Sequence, residues 1–266
     1  MTPFAMPSHS HDDQPNMPKV PIGQCRYRVP VTNQDLKRYL AAAAANLTFN
    51  APLSAERAAD LIRRLAPSGA GWRALDLGCG NGELLMRLCE NHGISGDGVE
   101  RDAGDGERAR LNATKRGVSD RVTFHSTDAA TWDRPADLVV NVGAGYVWGD
   151  AAQALTALHR LTVPGGKLLF ADGIYQASPS DQVRETFGDL PDLAALAQFA
   201  VDAGFRPLHV AVSTLAEWDD FESDWRAGIE RLGTPDARAF ADQRRDGYLN
   251  GYRGIVGFGW LILTPA

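Results

Sequence analysis

Between residues 73 and 172, five short apolar runs alternate with helical patterns, and this alternation constrains the fold more than any other feature of the chain. The runs are RALDL (73–77), GDGVE (96–100), RVTFHS (121–126), ADLVVNV (136–142) and GKLLFAD (166–172). Helical stretches at Gly82–Asn91, Gly104–Arg116 and Ala151–Leu161 separate them. Parallel strands cannot be joined by tight turns, and helices of ~10–15 residues supply the crossovers they need. The pattern predicts an α/β, doubly wound, mostly parallel sheet with helices on both faces. VPGGK at 163–167 reads as the turn into the fifth strand, its two glycines relieving backbone strain.

The flanks read differently. TNQDLKRYLAAAAANL, from Thr32, is a capping residue followed by strong helix formers. PLSAERAADLIRRL is a second helix, with Ser54 as N-cap, Glu56 in the first turn, and Leu61, Ile62 and Leu65 on one face. Together they form N-terminal helices over 32–66. Past residue 190, AALAQFAVDAG is a helix ending at Gly204, and FRPLHVAVSTL alternates as a strand. AEWDDFESDWRAGIERL and DARAFADQRRDGYLNGY form a helical insertion over 215–252, and GIVGFGWLILT is the last strand. The last two strands are expected to pair antiparallel at one edge of the sheet. Residues 1–24 are rich in Pro, Ser, Asp and His and lack an apolar period, so they read as a disordered tail. His9 and His11 lie there with nothing to fix a coordination geometry, and no metal is expected. Residues 25–266 read as one domain.

The formal net charge is −6 and the pI about 5.5, so the chain is a poor generic binder of phosphate backbones and no nucleic-acid partner is expected. The longest apolar run, Ile255–Leu263, is short and broken by glycine, so no membrane span is expected either. The N-terminus has no basic region followed by an apolar core. Three scattered cysteines, Cys25, Cys79 and Cys89, argue against a disulfide framework and for a reducing, cytoplasmic setting.

ALDLGCGNGELL, Ala74–Leu85, is a strand, an aspartate, glycines at 78, 80 and 82, and the first turn of a helix. A P-loop would end in Gly-Lys-Ser/Thr, but this loop ends in Gly82-Glu83. A dinucleotide fingerprint would place its third glycine at position 83, which is Glu, and no Tyr-x-x-x-Lys pair supports an NAD-dependent oxidoreductase. Asp76-Leu77-Gly78-Cys79-Gly80-Asn81-Gly82 resembles the S-adenosylmethionine loop of class I methyltransferases. FNAPLSAERAADLI, LDLGCGNGELLMRL, PGGKLLFADGIY and EWDDFESDWRAGIERL together look like one bacterial subgroup of that family, over about residues 46–264. The resemblance implies a seven-stranded sheet with the last strand antiparallel and S-adenosylmethionine as cofactor. The subgroup often carries Glu where Asp172 stands.

On this resemblance, Gly78, Gly80 and Gly82 let backbone N–H groups reach the methionine carboxylate near a helix N-terminus. Asp76 offers negative charge to the cofactor's ammonium or, through water, its ribose. Glu100 ends the second strand, 24 positions after Asp76, and can accept both ribose hydroxyls. Asp128 and Ala129 follow the third strand and are expected at the adenine, although Asp128 could instead only cap the next turn. Asn141 ends the fourth strand, beside the crevice where open α/β sheets bind ligands.

The acceptor is less legible. Asn141-Val142-Gly143-Ala144 is not the Asn/Asp-Pro-Pro-Tyr/Phe turn that accompanies methylation of exocyclic base nitrogens. No cysteine stands where covalent attack on a pyrimidine would need it. A small-molecule acceptor is therefore expected, with an RNA or protein methyltransferase, or a cofactor-binding protein without transfer activity, as alternatives. Tyr146 and Trp148 in GAGYVWGD and Tyr175 in ADGIYQ are expected to form an aromatic wall, with Asp172 orienting or deprotonating the acceptor. Core packing competes with that role for each aromatic, and a structural hydrogen bond competes for Asp172. Trp218 and Trp225 read as packing residues, His125 and His159 as structural. Neither acceptor loop carries a histidine to act as general base, which favours proximity-driven transfer to O or N over C.

Overall fold

A computed structural model describes residues 32–69 and 71–266. The tail expected over 1–24, with His9 and His11, and the thiol of Cys25 lie outside the described residues.

Thr32 accepts the Asp35 N–H and opens helix α1 (Asn33–Asn46), and Ser54 accepts the Arg57 N–H and opens α2 (Ala55–Arg64). The alternating region follows as β1 (Arg73–Leu77), α3 (Glu83–His92), β2 (Ser95–Val99), α4 (Ala103–Arg116), β3 (Val122–His125) and β4 (Ala136–Val142). After it come α5 (Ala151–Leu161), β5 (Thr162–Tyr175), α6 (Asp181–Phe187), α7 (Leu193–Asp202) and β6 (Phe205–Val212). Two helices, α8 (Leu215–Glu230) and α9 (Pro235–Gly247), a π-turn at Tyr248–Tyr252 and strand β7 (Val256–Pro265) complete the chain. The short α6 has no counterpart in the sequence reading.

The seven strands form one sheet in the order β3-β2-β1-β4-β5-β7-β6. β1 pairs in parallel with both β2 and β4, so the chain reverses its direction of winding between them. Ligands bind beyond the strand ends at such a switch point. β7 runs antiparallel to both β5 and β6. It lies inside the sheet, not at the edge, because Val256 to Leu263 are all buried and need cover on both faces. The more exposed β6 takes the edge.

VPGGK is not a separate turn. β5 already pairs at Thr162 with Ala136, and the register then jumps to Lys167 opposite Leu138. Residues 163–166 bulge out between these pairs, with Gly165 at φ +79°.

Strand alternation divides the core in two. Leu169 and Ala171 face α1, α2, α3, α4, α8 and α9, whereas Leu168 and Phe170 face α5 and α7. Glu217 ties the first layer together. Its carboxylate accepts from the Ser54 hydroxyl at 2.8 Å, the Arg57 Nε at 2.8 Å and the Thr214 N–H at 2.8 Å. The start of α2 is thereby fixed to the start of α8, and loop 49–53 is held over the sheet. Burial alone would raise this carboxyl, but the Arg57 hydrogen bond and the Thr214 and Ser54 donors outweigh it and hold the pKa at about 2.

Candidate cofactor and acceptor site

A cleft of about 740 Å³ opens at the ends of β1, β2, β3 and β4, at the switch point. Asp76, Gly78, Gly80, Glu100, Asp128 and Ala129 line one side of it. Glu100 Oε2 accepts the Gly80 N–H at 3.0 Å, and its Oε1 accepts the Asp102 N–H at 2.8 Å. The carboxylate thus locks the glycine loop to the start of α4. Asp76 is only 3% exposed, and burial, with the Glu100 charge adding to it, pushes its carboxyl up to about 8.

The glycines have distinct reasons to be there. Gly78 (φ +79°) would place a Cβ 2.5 Å from the Ala144 methyl, and Gly82 (φ +74°) would place one 2.6 Å from the Phe124 ring. Gly80 (φ +52°) would project a Cβ into open space, so its missing side chain leaves a cradle beside Glu100. The loop amides do not play the part expected of them. The N–H groups of Gly78 and Cys79 donate to Val99 O, that of Gly80 to Glu100, and that of Gly82 to Cys79 O. The loop folds back on the end of β2, and these donors are engaged within it. Gly82 also does not line the cleft.

Asp128 does both things considered for it. Its Oδ1 accepts the Ala130 N–H at 2.9 Å and caps the turn Ala129–Thr131, and the residue also lines the cleft. Tyr146, 39% exposed, lines the cleft as well. Burial raises its hydroxyl pKa and the Glu100 and Asp128 charges add to this, so Tyr146 stands by the carboxylate side.

The structure does not bring the remaining candidates to the cleft. Asn141 is fully buried and donates from Nδ2 to Leu77 O at 2.8 Å, cross-linking β4 to β1. Asp172 shares a strand face with Phe170, turned toward α5 and α7; its Oδ1 accepts the Gly173 N–H and its Oδ2 packs against Gly145. Trp148 packs on that same far layer. Tyr175 donates its hydroxyl to Gly188 O at 2.6 Å and packs beneath Arg184. The expected aromatic wall of Tyr146, Trp148 and Tyr175 is therefore corrected, because strand alternation and the loop path send its members to three different places. His125 bonds Asp97, and His159 packs edge-on against Phe205.

A different wall faces the carboxylates. Lys37 and Leu40 from α1, Phe49 from the following loop, Phe221 and Trp225 from α8, and Phe258 from β7 line the cleft. Sequence reasoning missed most of it. The signal was the spacing of Phe221 and Trp225, and of Lys37, Leu40 and Ala44, on single helix faces. Behind Trp225, Arg244 lies 4.2 Å from the ring centroid and binds Glu222 through two hydrogen bonds of 2.8 and 2.7 Å. Tyr252 in the π-turn also donates to Glu222 at 2.7 Å. Residues 74–166 match the family model described as a methyltransferase domain. The fold matches a methyltransferase of Geobacter sulfurreducens crystallised with S-adenosylhomocysteine, at a TM-score of 0.77 and 26% identity over 86% of this chain and 98% of that one.

The chain is a class I S-adenosylmethionine-dependent methyltransferase. Two further relatives of this methyltransferase come from sequence. It is 29% identical over 199 residues to the Escherichia coli protein YjhP, described as uncharacterized, which spans 71% of this chain and 79% of that one. It is 29% identical over 163 residues to the 27-O-demethylrifamycin SV methyltransferase of Amycolatopsis mediterranei, spanning 57% of this chain and 60% of that one. The residues of the cleft suit the cofactor. The cradle at Gly80 would be filled by any side chain, and the buried Asp76 carboxyl, neutral at pH 7 when alone, is a site that a cationic group would ionise.

Proposed function

We propose that this methyltransferase acts on a small molecule and transfers the methyl group to oxygen or nitrogen. The observation that carries this reading is the two-sided cleft, with carboxylates and loop glycines on one side and apolar and aromatic side chains on the other. Its volume of about 740 Å³ lies within the ~300–1,000 Å³ typical of small-molecule sites. The chemistry named in the 27-O-demethylrifamycin SV relative supports the same class.

Bound S-adenosylmethionine supplies a methyl group already activated by the sulfonium. In this reading Asp76 faces the cofactor's ammonium, Glu100 accepts the ribose hydroxyls, and Asp128 and Ala129 meet the adenine. Among the described residues the acceptor wall carries no histidine and no carboxylate. The Cys79 thiol is kept neutral by burial, with the Asp76 and Glu100 charges adding to this, and is no base either. The wall then acts by excluding water and orienting the acceptor, which is worth on the order of 7–11 kcal/mol in well-aligned cases. We place the protein in the cytoplasm, where the free thiols of Cys79 and Cys89 persist.

Incubating the protein and methyl-labelled cofactor with a cell extract tests this. Label is expected in low-mass products. Label confined to protein or RNA would contradict the reading.

A further inference from the structure

We propose that the acceptor is a flat, largely apolar molecule presenting an ionised oxygen, a phenolate, enolate or carboxylate, and that Lys37 pairs with its negative charge. This rests on the small-molecule reading above and narrows it.

The wall opposite the carboxylates carries the rings of Phe49, Phe221, Trp225 and Phe258. Such rings favour a flat apolar guest, which offers stacked or edge-on contact. Rings also attract cations through their negative faces, so an amine acceptor is the rival to weigh.

Two observations favour the oxyanion. The first concerns the rings. The Arg87 guanidinium lies 5.0 Å from the Phe49 ring centroid, and that of Arg244 lies 4.2 Å from the Trp225 centroid. Glu83 holds Arg87 and Glu222 holds Arg244, so both guanidiniums are fixed against their rings. A cation on one face draws ring electron density toward itself, and the other face then attracts a second cation less. The second observation concerns charge. Among the described residues Lys37 is the one charged side chain that α1, α8 and β7 bring to the cleft, while Asp76, Glu100 and Asp128, with Arg101, Asp102, Asp105 and Arg108 of the β2–α4 segment, come from the strand-end side. An ammonium would meet a lysine and no carboxylate. An oxyanion meets a partner.

The chemistry then balances without a base. A lone pair on the acceptor oxygen forms the O–CH3 bond as the C–S bond breaks, and the bonding pair leaves on sulfur. The oxyanion and the sulfonium both become neutral, and no proton has to move. This accords with a wall that offers no general base.

The test uses the full chain saturated with S-adenosylhomocysteine and two probes of matched size, 2-naphthoate and 2-naphthylmethylammonium. Binding is read by tryptophan fluorescence at neutral pH and low salt. The naphthoate is expected to bind at least tenfold more tightly. Lys37 is exposed, so its pull is modest and screened by salt. Lys37→Gln is therefore expected to cut the preference at least threefold, Lys37→Arg to keep it, and neither to change affinity for S-adenosylhomocysteine. Equal binding, preference for the ammonium, or no binding of either probe would overturn the proposal. So would a loss of S-adenosylhomocysteine affinity in Lys37→Gln, which would assign the lysine to the cofactor. Low-mass labelled products would still uphold the small-molecule reading in each of those cases.

Discussion

The Glu100 carboxylate holds the Gly80 N–H at 3.0 Å, so the side chain we propose for the ribose also shapes the loop beside it. Glu100→Ala removes both functions. Hydrogen bonds to charged groups contribute ~1.5–3 kcal/mol each, so losing two to a ribose should weaken binding about 100-fold or more. The Gly80 and Asp102 N–H groups also lose their partner, so the melting temperature should fall by a few degrees. Glu100→Gln, which keeps an acceptor, should fall between the two. Calorimetry with S-adenosylhomocysteine and a thermal melt read these effects separately.

Asp76 predicts a pH dependence of cofactor binding. Its pKa of about 8 leaves it protonated in the free protein at pH 6–7, and an ammonium beside it favours the ionised form. Binding should release a proton, and affinity should rise with pH between about 6 and 7.5, where the cofactor's amino group (pKa ~7.7–8.0) is still mostly charged. Asp76→Asn should flatten the slope. Stability runs the other way. An unfolded Asp loses its proton near pH 3.9 whereas the folded one keeps it to about 8, so this group's contribution to stability falls as pH rises through that window. Calorimetry in buffers of different ionisation enthalpy measures the proton released.

Gly78 and Gly80 should respond differently to alanine. Both have positive φ, which costs a non-glycine residue about 1–2 kcal/mol. At Gly78 the new methyl also collides with Ala144, adding ~1–3 kcal/mol of overpacking. Gly78→Ala should therefore be the more destabilised in urea. Gly80→Ala should keep more stability and lose cofactor affinity, because its methyl enters the cradle.

Glu217→Gln should destabilise the protein, because Glu217 ties the start of α2 to the start of α8. Breaking one partner of a buried ion pair costs ~3–5 kcal/mol, and about 2–3 kcal/mol is expected here because Arg57 keeps some contact with solvent. With a folded pKa of about 2, Glu217 contributes its full stabilisation above its unfolded value near 4.3 and loses it as pH falls through about 2. The wild-type and variant stabilities should converge on acidification.

Tyr175→Phe should lower stability by about 1 kcal/mol, through loss of the hydroxyl bond to Gly188 O, and leave kcat and KM unchanged. A tenfold loss of kcat at unchanged stability would return Tyr175 to the mechanism.

Features set by local chemistry were legible in the sequence. Asp76, Glu100 and Asp128 end or follow successive strands, and strand ends of a parallel sheet converge, so spacing alone brought them to one cleft. Features set by side-chain direction were not. Asp172 and Tyr175 sit on the right strand, but the face each takes depends on register, which the bulge at 163–166 resets. The loop amides looked available because the return hydrogen bonds to Val99 O are a tertiary feature. Trp225 read as core, and it is buried, yet it also lines the cleft because α8 lies against α1, far away in sequence.

The most direct test is a calorimetric titration of the purified chain with S-adenosylhomocysteine, with NAD as control. One saturable site per chain and no heat from NAD are predicted. A chain that shows no saturable binding of S-adenosylhomocysteine would contradict the assignment of the cleft.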